Sequence, residues 1–245
     1  MTDILHGFEI NTQPQFWISV LQIIWINVLL SGDNAIVIAL ACRGLPARQR
    51  LWGMTLGTVV ALILRLIFAG IISTLMLLPY VKVVGGLALL WIAVKLLVPE
   101  EEGDDSSHAS DSLWRAVKLI AIADVVMSLD NVIAVAAAAE GNFALLVFGL
   151  GISIPAIVAG ANIIMAMLNY FPIIVWAGAA LLGWIAGDVI ATDPTVADYA
   201  STFGAGVPGK VEIALAVAGA VLTVALGYLG RARVARHAKA VGPES

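Results

Sequence analysis

The residues that invite chemistry are three aspartates set in apolar surroundings, Asp33, Asp124 and Asp130. Each has polar company. Asn27 to Val37 reads NVLLSGDNAIV, and Asp124 to Ala134 reads DVVMSLDNVIA. Carboxylate, amide and hydroxyl oxygens suit hard dications such as Mg2+, Ca2+ and Mn2+, whereas Zn2+ and Cu2+ favour imidazole or thiolate. His6, His108 and His237 all fall outside the apolar runs, and Cys42 is the one cysteine. A Cys-rich metal site and an internal disulfide are therefore excluded. Met127 offers a softer contact that would favour Mn2+ over Ca2+, but Leu30 is its counterpart, so packing is its simpler role.

Helix geometry sorts these groups. Asp124, Ser128 and Asn131 fall at i, i+4 and i+7 and share one face, as do Asn27, Ser31 and Asn34. Asp33 and Asp130 each lie about 100° from the asparagine that follows. A local helix break would bring Asp and Asn together and free backbone carbonyls as ligands. Gly32 permits one in the first stretch, whereas Leu129 stands at the matching place in the second. Arg65 lies too deep in its apolar run to snorkel to water. It calls for a carboxylate, Asp33 or Asp124, and would occupy the carboxylates when no cation is present.

These residues must be held by membrane helices. The chain has 245 residues, 61% hydrophobic and 12% charged, with a mean hydropathy of +0.99. A soluble domain runs about 45–50% apolar and about 25% charged. An ordinary soluble enzyme is thus excluded, as is a disordered chain. A net charge of −4 excludes a nucleic-acid-binding footprint. Seven apolar runs are long enough to cross a bilayer, at roughly 16–42, 51–77, 80–98, 113–139, 144–168, 172–191 and 211–230. They are too long for barrel strands and lack alternation. The expected fold is an all-α polytopic membrane protein. The first 15 residues carry no Lys or Arg, so the first run reads as a retained span, not a cleaved signal.

Positive charge orients the spans. Arg43, Arg48, Arg50, Lys95, Arg115, Lys118, Arg231, Arg233, Arg236 and Lys239 all fall on one side if the N-terminus lies outside and the C-terminus inside. Lys82 and Lys210 fall on the other. The stretch 99–112, with Glu100, Glu101, Glu102, Asp104, Asp105, His108 and Asp111, reads as a solvated cytoplasmic linker, with a cation-collecting loop as the functional alternative.

The two polar stretches are copies. At an offset of 97, Ser31 meets Ser128, Asp33 meets Asp130, Asn34 meets Asn131, Ile36 meets Ile133 and Asn27 meets Asp124. At an offset of 93, Trp91-Ile92-Ala93 meets Trp184-Ile185-Ala186 and Gly85 meets Gly178. The chain then reads as one transmembrane domain, 1–245. Repeat one covers about 16–98, the linker 99–112, repeat two about 113–191, and a seventh helix 211–230. Three spans per repeat force the second copy to enter from the opposite face, the inverted arrangement of secondary transporters, with a site where the repeats meet. Asp33 and Asp124 should then share one level toward the cytoplasmic half, and Asn27 and Asp130 another toward the outer half. An ionised carboxylate at the bilayer centre costs roughly 2.5–3.5 kcal/mol, so a purely structural polar network is the weaker account of three of them. Lys95, Asp188 and Glu140 read as boundary residues, and Pro155 and Pro172 as points where a helix kinks or starts. Gly53, Gly57, Gly149 and Gly151 give spacing for close helix contact.

The doubled Asp-Asn motif, Asp33-Asn34 and Asp130-Asn131, with Asp124 and Ser128, resembles the TerC family of membrane proteins, over about residues 15 to 230. That family sits in a wider LysE-like group of exporters. The resemblance implies a seven-span protein of the bacterial plasma membrane that exports divalent cations, chiefly manganese. Some members are associated with tellurite resistance or with supplying metal to secreted enzymes. The expected metal set is Asp33, Asn34, Asp124, Ser128, Asp130 and Asn131, supported by Asn27, Ser31 and Arg65. Asn27 stands where the second copy has Asp124, a departure from full symmetry.

The leading expectation is a carrier and not an enzyme, with Mn2+ as transported substrate, no tightly bound cofactor and no catalytic residues. No nucleotide-binding G-x-x-x-x-G-K-[ST] occurs, so ion gradients should drive it, proton exchange through the carboxylates being one option. Expected partners are the metal ion and the lipid bilayer, with no nucleic acid; a homo-oligomer and a secretion-machinery partner are left open. A non-transporting scaffold or metal-delivery protein is the second reading. An intramembrane aspartyl hydrolase is the third, weakened because Leu30-Ser31-Gly32-Asp33 lacks the first glycine of G-x-G-D.

Overall fold

In the computed structural model, residues 17–18, 20–25, 31–69, 78–98, 109–138, 143–202 and 209–241 are described. No strand occurs among them. Residues 20–25 are helical. The helices that follow are α1 (Gly32–Cys42), α2 (Ala47–Ala69), α3 (Val81–Leu97), α4 (Ala109–Ala138), α5 (Phe143–Tyr170), α6 (Ile173–Ala191), α7 (Pro194–Thr202) and α8 (Lys210–Val241). Four are long and apolar enough to cross a membrane: Ala47–Phe68, Val147–Leu168, Ile173–Ala191 and Lys210–Arg236. The protein is therefore all-helical and multi-pass among the described residues. In α3, 17 residues rise roughly 26 Å, slightly short of a hydrocarbon core of about 30 Å.

Local chemistry sets the helix ends. Ser31 takes φ −111° and ψ 8°, so α1 begins at Gly32. The expected break at Gly32 thus has a helix start on its C-terminal side, and residues 26–30 lie outside the described ones. In α4 the helix runs unbroken through Leu129. A proline cannot donate its backbone nitrogen. That places Pro172 just before α6, while Pro155 sits inside α5 and removes the donor for the Gly151 carbonyl. The short helix α7 was not anticipated from composition. Its signal is Asp193-Pro194, an N-cap acid followed by proline at the first helical position.

The chain forms two compact units. One comprises 1–76 with 113–166, the other 77–112 with 167–245. Each takes helices from both halves of the sequence.

In the first unit, α2 and α4 run parallel. Leu113 packs near Gly53 and Ile120 packs on Gly57, while Arg65 meets Asp124 farther along. Residues 20–25 and α1 likewise follow α5, with Ile23 on Gly149 and Ala35 near Gly160. A Cβ at Gly57 would lie 2.5 Å from Ile120 Cδ1, and one at Gly149 would overlap Ile23. Both glycines are there because an isoleucine occupies the space. Gly151 is different: a Cβ there meets open space. Its expected role in close packing is corrected accordingly. Val20, Ile23, Leu145 and Leu150 form a buried cluster, with Ile24, Leu62 and Leu66 against it.

In the second unit, α6 lies antiparallel to α3 and to α8. Gly86 abuts Ala186 and Ile190. Gly183 and Gly187 bring α6 against the backbone of α8 at Gly219 and Leu215, the close approach that small residues allow between membrane helices. Arg231 donates from Nε to the Leu97 carbonyl at 2.7 Å and lies 4.8 Å from the Trp176 ring centre. One arginine thus caps the end of α3 and covers the start of α6. Lys95 lies over Trp91 at 5.2 Å, as suits a residue near a helix end.

Candidate functional site

The polar groups of the first unit converge where α1, α2, α4 and α5 meet. Arg65 on α2 and Asp124 on α4 are only 5% and 6% exposed. Arg65 Nη2 donates to Asp124 Oδ1 at 2.5 Å, and Arg65 Nε donates to Ser128 Oγ at 3.1 Å. Ser128 donates in turn to Asp124 Oδ2 at 3.0 Å. The i, i+4 spacing of Asp124 and Ser128 on α4 makes that last bond possible. The result is a closed relay of three side chains. Of the two partners expected for Arg65, Asp124 is the one in direct contact.

Beside this relay lies a cavity lined by Asn34, Thr58, Arg65, Asp124 and Ser153, with Val37, Ile38, Ala61, Leu62, Ile120, Leu150, Ile154 and Ile157 completing the wall. It offers about 30 Å3 to the centres of water-sized particles. One water needs about 10–15 Å3 on that measure, so two or three fit, or an ion that keeps a water. Asn34 is buried, and its Nδ2 has no hydrogen-bond partner among the described residues. A buried polar atom without a partner calls for a ligand or water. The amide's oxygen and nitrogen exchange by a half-turn, which puts an acceptor at the same spot.

Asp33 stands at the first turn of α1 and is half-buried. Its Oδ1 accepts the Asn34 backbone N–H at 2.8 Å. It is not part of the cavity wall, but it lies within electrostatic reach of Arg65 and Asp124. Ser31 is buried at the start of α1 and makes no side-chain cap bond. Asp130 and Asn131 belong to α4 by backbone; their side chains, like Asn27, lie outside the described residues. Met127 is buried. No group of three His, Cys, Asp or Glu able to hold a metal occurs among the described residues.

Two wall residues escaped the sequence reading. Thr58 donates to the Met54 carbonyl at 2.7 Å, and Ser153 donates to the Leu150 carbonyl at 2.6 Å. Each spends its proton on its own helix and keeps oxygen lone pairs for another partner. The signal for Thr58 was its position two turns before Arg65 on the same face of α2. Ser153 had only its nearness to Pro155.

The sequence profile of the integral membrane protein TerC family matches residues 12–235. The chain belongs to the TerC family. It is 40% identical over 194 residues to the uncharacterized membrane protein YjbE of Bacillus subtilis, covering 78% of this chain and 88% of that one. It is 28% identical over 246 residues to the uncharacterized membrane protein YceF of the same organism, covering 96% and 91%. No solved structure matches. The TerC match takes in the whole Arg65–Asp124–Ser128 relay and both Asp-Asn motifs.

Proposed function

We propose that this TerC-family protein exports divalent cations, manganese foremost, across a bacterial plasma membrane. The observation that carries the reading is the buried carboxylate of Asp124, joined to Ser128 and Arg65 beside a cavity that also holds the unpartnered amide of Asn34. Such a cluster is costly inside an apolar unit unless it handles a charge. Its donors are oxygens of carboxylate, amide and hydroxyl type, which suit a hard dication. The proposed ligand set is Asp33, Asn34, Asp124, Ser128, Asp130 and Asn131.

Two contacts support an inverted repeat of seven spans. Ile23 packs on Gly149, and Ile120 packs on Gly57. Ile23 and Ile120 are 97 positions apart, the offset that also relates the two Asp-Asn motifs. Each isoleucine comes from the first span of its repeat and meets a glycine in the second span of the other. The antiparallel pairing of α3 with α6 agrees with third spans of opposite direction.

Manganese flux from loaded vesicles containing the purified protein tests the proposal. The unaltered protein should release metal faster than protein-free vesicles, and Asp124→Asn should not. Release by Asp124→Asn at the unaltered rate would remove the assignment of the site.

A further inference from the structure

Arg65 is a fixed positive charge standing where a dication is proposed to bind. It donates to Asp124 Oδ1 and to Ser128 Oγ, and both residues belong to the proposed ligand set. It shares one cavity wall with Asp124 and Asn34. A guanidinium does not deprotonate in proteins, so unlike a proton it can never depart with the cargo. Metal and guanidinium compete for the same carboxylate oxygen, and their like charges repel strongly in a medium of low dielectric. Asp33, half-buried and already accepting the Asn34 N–H, needs the guanidinium less.

We infer that Arg65 is a tethered counter-cation: it neutralises Asp124 once the metal has left, so that the empty carrier can return without a second ion, and the arriving metal displaces it. The inference rests on the transport reading above. A bare buried carboxylate is expensive, and removing one partner of a buried pair leaves that cost uncompensated. With Arg65 in place, the empty carrier turns, and net flux, which moves two positive charges per cycle, runs on the metal's own electrochemical gradient. Without it, the carrier can return only with another cation in the site. Metal-for-metal exchange then survives while net release stops. The same device replaces the proton exchange that the carboxylates alone would require.

The test uses the full chain in vesicles loaded with manganese chloride, at equal pH on both sides and with potassium and a potassium ionophore present so that compensating charge can move. Release is followed into metal-free buffer and, separately, into buffer containing manganese. In Arg65→Gln, release into metal-free buffer should fall about a hundredfold or more, the size set by an uncompensated buried charge, while exchange stays within about threefold. Arg65→Lys keeps the charge and should retain both modes. Equal loss of both modes in Arg65→Gln, or full retention of both, overturns the inference. If Arg65→Gln does not assemble, Arg65→Lys decides, since exchange without net release in that variant also overturns it. Absence of flux in both modes from the unaltered protein overturns the transport reading itself, and this inference with it.

Discussion

Ser128 donates its hydroxyl proton to Asp124 across one turn of α4 at 3.0 Å, and this bond fixes which carboxylate oxygen is left for Arg65. The same hydroxyl accepts the Arg65 Nε–H. Ser128→Ala therefore removes an orienting group and leaves the charge pair in place. A hydrogen bond to a charged group contributes about 1.5–3 kcal/mol. The manganese concentration giving half-maximal flux should rise about tenfold or more, with the protein still folded, as that range implies. Flux measured against metal concentration checks this, and an unchanged half-maximal concentration would show that Ser128 does not orient the carboxylate.

Asp124→Asn has a second consequence, for stability. It strands a buried guanidinium, and breaking one side of a buried ion pair costs about 3–5 kcal/mol. The melting temperature in detergent should drop markedly. Pairing the change with Arg65→Met removes the stranded charge and should restore most of the loss, because apolar replacement of a buried pair is often neutral. Flux should stay absent in the double variant. Recovery of stability without recovery of flux separates the structural from the transport role of the pair.

Much of this was legible in the chain. Helical spans follow from length and hydropathy, and Arg65 needed a carboxylate because its place in the middle of an apolar run is too deep for its head to snorkel to the interface. The Asp124–Ser128 bond follows from a spacing of four on a helix. What composition could not give is the partition of helices. The repeats follow one another along the chain, and the compact units each draw on both, because packing partners are set by facing surfaces and not by order along the chain. Thr58 and Ser153 were missed because a hydroxyl bonded to its own helix is common in apolar segments and carries no pattern of its own. Gly151 misled for a related reason: small-residue spacing shows that close approach is possible, and only a neighbour such as Ile23 on Gly149 makes it real.

The matched contacts of Ile120 on Gly57 and Ile23 on Gly149 predict matched sensitivity. Gly57→Val and Gly149→Val each push a branched side chain into space an isoleucine already fills. Overpacking of this kind costs about 1–3 kcal/mol. Both variants should melt lower than the unaltered protein by similar amounts. Ile120→Ala combined with Gly57→Val, and Ile23→Ala combined with Gly149→Val, should each recover part of the loss. A large loss at one glycine and none at the other would show that the two contacts are not equivalent.

Asp193 joins two helix starts in the second unit. Its Oδ1 accepts the Thr195 N–H at 2.9 Å and the Tyr80 N–H at 3.4 Å, so one carboxylate serves the N-termini of α7 and α3. Negative charge is favoured at both ends. Burial among its neighbours pushes its pKa up, but the bonds from the Thr195 N–H and hydroxyl, with weaker help from Tyr80 and Val83, outweigh that and hold it below the usual carboxylate range. A depressed folded pKa contributes stability that is present above the unfolded value, about 3.9, and is lost as pH falls through the folded value. The melting temperature in detergent should be insensitive to Asp193 ionisation near neutrality and should decline below about pH 4. Asp193→Asn keeps an acceptor but cannot titrate. It should melt lower at neutral pH, and the gap to the unaltered protein should close as the solution is acidified. A gap that stays constant from neutral to acid would mean that the charge on Asp193 contributes nothing to holding the two helix starts together.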